Sequence, residues 1–301
     1  MGEGGGGMKE NYLDFGGLKD DKKLDWFIFY FIIPLFLIIV YIMVYLHPEL
    51  ERVLILQTSN PTWISIYLSN FVHTDFWHHL GGNLLIYFIL IYLILFFRTD
   101  RKKFYINMAL FFTVLPVLCS LSTIYLASAP PPSFGVLWQF LGFSGIVSGL
   151  AGYLLYSVYW YIREKWEVPL NIHFFFSILA FNLLIITFTY KWFWMSVFIF
   201  LIFLIALYLA KNGLTMTISK IIDKWNEIKQ KNVKVKICKL MIFLFTISFL
   251  FGSAMGLFPV NTKGINILAH YAGYCFGALV PLIFVDGGVL VLKKLLDSDK
   301  R

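Results

Sequence analysis

No aspartate or glutamate lies in the middle of any long apolar run of this chain. That absence excludes the paired intramembrane aspartates of an aspartyl intramembrane protease. It also excludes the buried carboxylate relay that a proton-coupled transporter normally uses. Charge is scarce throughout: 14% of residues are charged, where a soluble domain carries roughly 25%. Cysteine is scarcer. Cys119, Cys238 and Cys275 show no metal or redox spacing, so neither a disulfide framework nor a cysteine-based site is supported. H-E-x-x-H is missing too, and with it the helix face that pairs two zinc ligands with a general base. No metal or other cofactor is expected.

What fills the 301 residues is hydrocarbon: 59% are hydrophobic and the mean hydropathy is +0.76. A membrane span needs about 20 mostly apolar residues. Candidate spans fall near 26–46, 80–97, 104–127, 144–162, 172–190, 192–210, 239–258 and 265–285, eight in all. The second is expected to start early, because "WISIYLSNFVH" ahead of it is also apolar. The prediction is an all-α, polytopic transmembrane helix bundle seated in the lipid bilayer. Residues 1–25, opening with the Gly-rich "MGEGGGGMKENYLDFGG", read as a flexible cytoplasmic tail, 26–286 as the membrane domain, and 287–301 as a second cytoplasmic tail.

A net charge of +8 invites a nucleic-acid reading, but the placement of the cations argues otherwise. With the N-terminus inside and the spans alternating, the inside segments hold four Lys or Arg before the first span, four in "RTDRKK", two in "REK", eight from Lys211 to Lys239 and four at the C-terminus. Only Arg52, Lys191 and Lys263 fall outside. This is the positive-inside asymmetry of a multi-pass protein with both termini cytoplasmic. No nucleic-acid partner is expected. Within the cytoplasmic segment 211–238, "LTMTISKIIDKWNEIKQ" sets Ile218, Ile221, Ile222, Trp225 and Ile228 on one helical face with lysines opposite, the pattern of an amphipathic helix lying at the membrane surface.

Polar groups at membrane depth make a short set. His270 lies inside the eighth span, His78, His79 and Asn83 at the start of the second, and Ser144 at the start of the fourth. The topology puts all of them a turn or two below the outer surface. His270, Gly273 and Gly277 recur at i, i+3 and i+7, on one helix face. Ser144, Ser148 and Gly152 recur at i, i+4 and i+8, with Gly145 and Gly149 beside them. Two stripes of small residues let helices approach closely, and packing through them brings the Ser144 hydroxyl to the His270 ring. A neutral imidazole beside a serine turns a poor nucleophile into a usable one. His79 and Asn83, four apart on one face, are placed with the Ser144 backbone N–H to donate to a developing oxyanion. His73, and one of the pair His78/His79, read as loop or cap residues near the interface.

At these residues the chain resembles the rhomboid family of intramembrane serine proteases. "HLGGN" (His79 to Asn83) resembles the family's H-x-x-x-N, "GFSGIVSGLAG" (Gly142 to Gly152) its G-x-S-G helix, and "AHYAGYCFG" (Ala269 to Gly277) its A-H-x-x-G-x-x-x-G. The run "HTDFWHH" fits the family spacing with His78 as well as with His79. The resemblance implies a six-helix core, carried here with about two extra spans, and a Ser–His dyad without a third acid. It assigns Ser144 as nucleophile, His270 as general base and then acid, and Asn83 and His79 to the oxyanion hole, with Gly142, Gly145, Gly273 and Gly277 as packing glycines. The implied partners are transmembrane substrate proteins cut near the outer face. A catalytically inactive, client-binding relative is the alternative. Three spans separate the serine and histidine helices here, against one in the family, and Ser148 stands where the family often carries an aromatic.

Overall fold

A computed structural model of the chain describes residues 21–128, 139–165, 167, 170–189, 191–229, 240–249, 267–285 and 287. The expected tail over 1–20, residues 250–258 of the seventh expected span, most of the C-terminal tail and the side chain of His78 lie outside the described residues. The described architecture is all-α. Helices α1 (Lys23–Leu46), α2 (Trp63–Leu68), α3 (His79–Phe97), α4 (Arg101–Tyr125), α5 (Ser144–Lys165), α6 (Ile172–Phe188), α7 (Phe193–Lys211), α8 (Leu240–Phe249) and α9 (Ile267–Val285) follow in chain order. Six of them, all but α2, α6 and α8, are long and apolar enough to cross a membrane. The protein is a multi-pass integral membrane protein by that criterion.

Seven of the eight expected spans fall on described helices, and the seventh is helical over the part described, 240–249; among the described residues six helices meet the length a bilayer demands, while α6 is a shorter apolar helix. One expectation is corrected. "WISIYL" does not extend the second span: Thr62 caps α2 as a separate short helix, its Oγ1 accepting from Ser65 N–H at 3.1 Å while Ser65 Oγ accepts from Thr62 N–H at 3.0 Å. The amphipathic segment after Lys211 is helical as expected, as far as it is described. The helix that begins at Phe193 runs on unbroken to Lys229.

Helix α5 is the pillar. Its central window is 89% buried, against 22% for α1 and for α7. Helix α9 packs along it most extensively, with α3 and α4 on its other sides. The contact between α5 and α9 is backbone on backbone. A side chain on Gly273 would run into the Gly145 carbonyl, one on Gly277 into that of Gly149, and one on Gly152 into that of Tyr274. Lipid tails are as apolar as leucine, so membrane helices gain association energy from such close van der Waals contact rather than from hydrophobic exclusion. Helices α6 and α7 pack chiefly on each other and lean on α5 through Tyr159, whose hydroxyl donates to the Leu170 carbonyl at 3.1 Å and whose ring meets Phe175 edge-on.

The two ends of the bundle differ. At one, buried Asp25 accepts from Arg98 Nη1 at 2.5 Å, Arg101 Nη2 at 3.0 Å and the Tyr105 hydroxyl at 2.5 Å, tying the start of α1 to the turn between α3 and α4. At the other lie the start of α5 and a set of exposed aromatics at helix ends: Tyr45, Trp63, Trp77, Tyr125 and Trp194. Tryptophan and tyrosine concentrate where bilayer meets water. A short antiparallel ladder, β1 (Leu56–Gln57) with β2 (Gln139–Phe140), anchors the approach to Ser144 at this end.

Candidate functional site

Gly142 turns the chain into α5 with a φ of +115°, a backbone region that side-chain-bearing residues rarely adopt. A methyl group there would also lie 2.5 Å from His79 Nε2. Gly142 is therefore not one of the interhelical packing glycines it was expected to join. It stands before the helix, its N–H donating to the Ser69 carbonyl at 2.9 Å, and it lets the His79 ring close against the backbone. Gly145, Gly273 and Gly277 do lie in the α5–α9 contact, where Gly149 and Gly152 join them.

Ser144 is the first residue of α5, and the Phe143 carbonyl accepts the N–H groups of Ile146 and Val147, both at 3.0 Å. The amides of the first turn of a helix have no carbonyl one turn back to bind. At Ser144 and Gly145 these donors sit at the positive end of the helix dipole. Across the glycine contact, α9 delivers His270, whose side chain is 6% exposed. Its Nε2 lies 2.7 Å from Ser144 Oγ. With Nε2 unprotonated the serine hydroxyl donates to it, which is the geometry a general base requires.

Helix α3 enters through a turn of π-helix, Phe76–Gly81, in which Leu80 N–H reaches back five residues to the Asp75 carbonyl at 3.1 Å. Such widened turns recur at functional sites. Here the turn carries His79 and sets Asn83 one turn further on. Asn83 is 8% exposed, and its Nδ2 lies 3.2 Å from a histidine nitrogen, not that of His79 but Nε2 of His73.

His73 is the residue the sequence reading misplaced. Expected as a loop or cap residue, it is 1% exposed and sits at the centre of this cluster. The Phe143 N–H also donates to its Nε2, at 3.2 Å, and its Nδ1 faces the Phe71 carbonyl at 3.3 Å. A backbone N–H can only donate, so Nε2 is the bare nitrogen and Nδ1 carries the proton. Burial first, and the neighbouring His79 second, push its pKa down from the ordinary 6.5 to about 3, against the bond to Phe71, which favours the charged ring. His73 is neutral across the physiological range. His79 packs edge-on against it, ring centroids 4.8 Å apart. One signal pointed here: "HTDFWHH" places His73 within the same short run as the site histidines.

The structure thus brings together Ser144 and His270 directly. Asn83, His79, His73 and the Gly142–Phe143 backbone form a second cluster joined to Ser144 through the chain. Ser148, one turn into α5, is fully buried, and its hydroxyl has no hydrogen-bond partner among the described residues. The described residues hold no group of three or more His, Cys, Asp or Glu able to bind a metal ion. Comparison of the chain with protein-family models, with curated proteins and with solved structures finds no match in any of the three.

Proposed function

We propose that this protein is a rhomboid-like intramembrane serine endopeptidase that cuts transmembrane segments of other proteins near the outer membrane face. The observation that carries the reading is the 2.7 Å approach of His270 Nε2 to Ser144 Oγ at the mouth of a membrane bundle. In this reading Ser144 Oγ attacks the scissile carbonyl carbon while its proton passes to His270 Nε2. The tetrahedral oxyanion takes hydrogen bonds from the first amides of α5 and from Asn83 and His79. Collapse of the intermediate breaks the C–N bond, and His270 returns the proton to the leaving amine. Water, deprotonated in turn by His270, then hydrolyses the acyl-enzyme. No carboxylate takes part.

Support also comes from place. The dyad lies at a bundle end rimmed by exposed aromatics, the level at which bilayer meets water. A helical substrate must unwind to present a peptide bond there, which favours small and helix-breaking residues at the cut. On the positive-inside pattern this end faces outward and both termini are cytoplasmic.

Reconstituted protein with a transmembrane reporter substrate tests the reading. Ser144→Ala and His270→Ala are each expected to abolish cleavage at unchanged expression. A fluorophosphonate is expected to label the wild type and not Ser144→Ala. Cleavage that survives either substitution overturns the assignment, and labelling absent from a folded wild type points to a non-catalytic client-binding protein.

A further inference from the structure

We propose that His73 is a positioning residue that fixes which way the Asn83 amide points and so makes Asn83 an oxyanion donor, an inference that rests on the serine-protease reading above. An asparagine side chain is a donor at one end and an acceptor at the other. Turned through half a rotation, it would face a developing oxyanion with its own carbonyl oxygen and repel it. Something must set its sense.

At Asn83 that sense follows from a chain of obligatory donors. The Phe71 carbonyl can only accept, so the Nδ1 that faces it at 3.3 Å carries the His73 proton. The Phe143 amide can only donate, so the Nε2 that faces it at 3.2 Å is bare. A bare Nε2 then accepts a second N–H, and at 3.2 Å Asn83 must present its NH2 group to it, leaving the carbonyl on the other side. One of the two Asn83 N–H groups is used in this way and the other is left for a substrate. The same lone pair holds Phe143, whose next residue is Ser144. His73 therefore orients a side-chain donor of one wall of the site and pins the backbone that carries the nucleophile, without touching the reacting atoms.

Burial supports this role. His73 is shut away from water at 1% exposure, and a buried nitrogen that lost its donors would be left unsatisfied. The tautomer is held by two backbone groups from separate segments, Phe71 and Phe143, so it does not depend on substrate. His79 lies edge-on to the same ring, which places both expected oxyanion residues in contact with His73.

The test uses the full-length protein in liposomes with a transmembrane reporter substrate. It compares wild type, His73→Leu, His73→Gln, Asn83→Ala and the double variant His73→Leu/Asn83→Ala, with Ser144→Ala as control. Removing one oxyanion donor typically lowers kcat by about 10²- to 10³-fold, and Asn83→Ala is expected in that range. His73→Leu is expected to lower kcat by roughly 10-fold or more with KM little changed, because the lost interaction forms in the transition state. His73→Gln, whose amide oxygen accepts from both donors, is expected to restore most of the rate. In the Asn83→Ala background His73→Leu is expected to cost less than in the wild type, by more than the roughly twofold margin within which independent substitutions add, and what remains is its loss through Phe143. Equal costs in both backgrounds, failure of Gln to rescue, or an unchanged kcat in His73→Leu would each overturn the inference. Where His73→Leu does not fold, the 15N spectrum of histidine-labelled wild type decides, assigned by loss of the signal in His73→Gln. A protonated Nδ1 and bare Nε2 are expected, and the reverse tautomer sinks the proposal. Cleavage by Ser144→Ala equal to wild type would signal instead that the protease reading has failed.

Discussion

The carbonyl oxygen of Gly149 lies where a side chain on Gly277 would begin. Helices α5 and α9 meet there with no side chain between them, and the obstructing groups are backbone, which cannot swing aside. Gly277→Ala is therefore expected to force the helices apart. Overpacking of this kind costs typically about 1–3 kcal/mol, read as a lower thermal midpoint in detergent. Because α9 carries His270, fluorophosphonate labelling of Ser144 is expected to fall more steeply than folded protein does. An alanine variant that labels at the wild-type rate would show that the glycine contact does not set the dyad.

Gly142 answers to a different demand. Its φ of +115° and the His79 ring beside it both resist a side chain. A residue held in such a strained backbone region costs of order 1–3 kcal/mol. Gly142→Ala is expected to keep the membrane bundle intact, since no interhelical contact is lost, while shifting Phe143 and Ser144. Loss of cleavage with a small change in thermal midpoint is the expected pair of results.

The buried, neutral His73 makes stability depend on pH with a definite sign. Its folded pKa is lowered to about 3 from the ordinary 6.5. Between those values the unfolded chain binds the proton and the folded protein does not, so stability rises with pH through that window and levels off above about 6.5. The slope from this one group is at most about 1.4 kcal/mol per pH unit. Unfolding midpoints measured from pH 4.5 to 8 are expected to climb and then flatten in the wild type, and to climb less in His73→Gln. An identical profile in the two proteins would mean that His73 is not held neutral by the fold.

How much of this was legible in the sequence depended on distance along the chain. Apolar runs and small-residue periodicity are local, and they placed the long helices and the Gly145–Gly273–Gly277 contact. The meeting of Ser144 and His270, 126 positions apart, was legible because both sit on helices whose stripes face each other. His73 was not. Its role comes from three hydrogen bonds to residues 2, 10 and 70 positions away, and no periodicity encodes a loop residue folded inward. Gly142 was misread because a glycine required by backbone conformation looks the same in sequence as one required by packing. Thr62 and Ser65, whose capping box detaches α2 from the following span, carried a signal that hydropathy outweighed.

Asp25 offers a separation of stability from activity. Its carboxylate, 1% exposed, accepts from Arg98, Arg101 and Tyr105 at the end of the bundle opposite Ser144. The 22 residues of α5 separate the two ends by roughly 33 Å at 1.5 Å per residue. Removing one partner of a buried ion pair leaves the other charge uncompensated, at about 3–5 kcal/mol. Asp25→Ala is expected to lower the thermal midpoint strongly, because Arg98, itself largely buried, keeps its charge and loses its acceptor. Asp25→Asn, which keeps the shape and one acceptor oxygen, is expected to fall between. In both variants the fraction that remains folded is expected to label at Ser144 at the wild-type rate, since the carboxylate network lies at the far end of α5 from the dyad. A labelling rate that falls in step with the midpoint would instead show that the two ends of the bundle are coupled through α5.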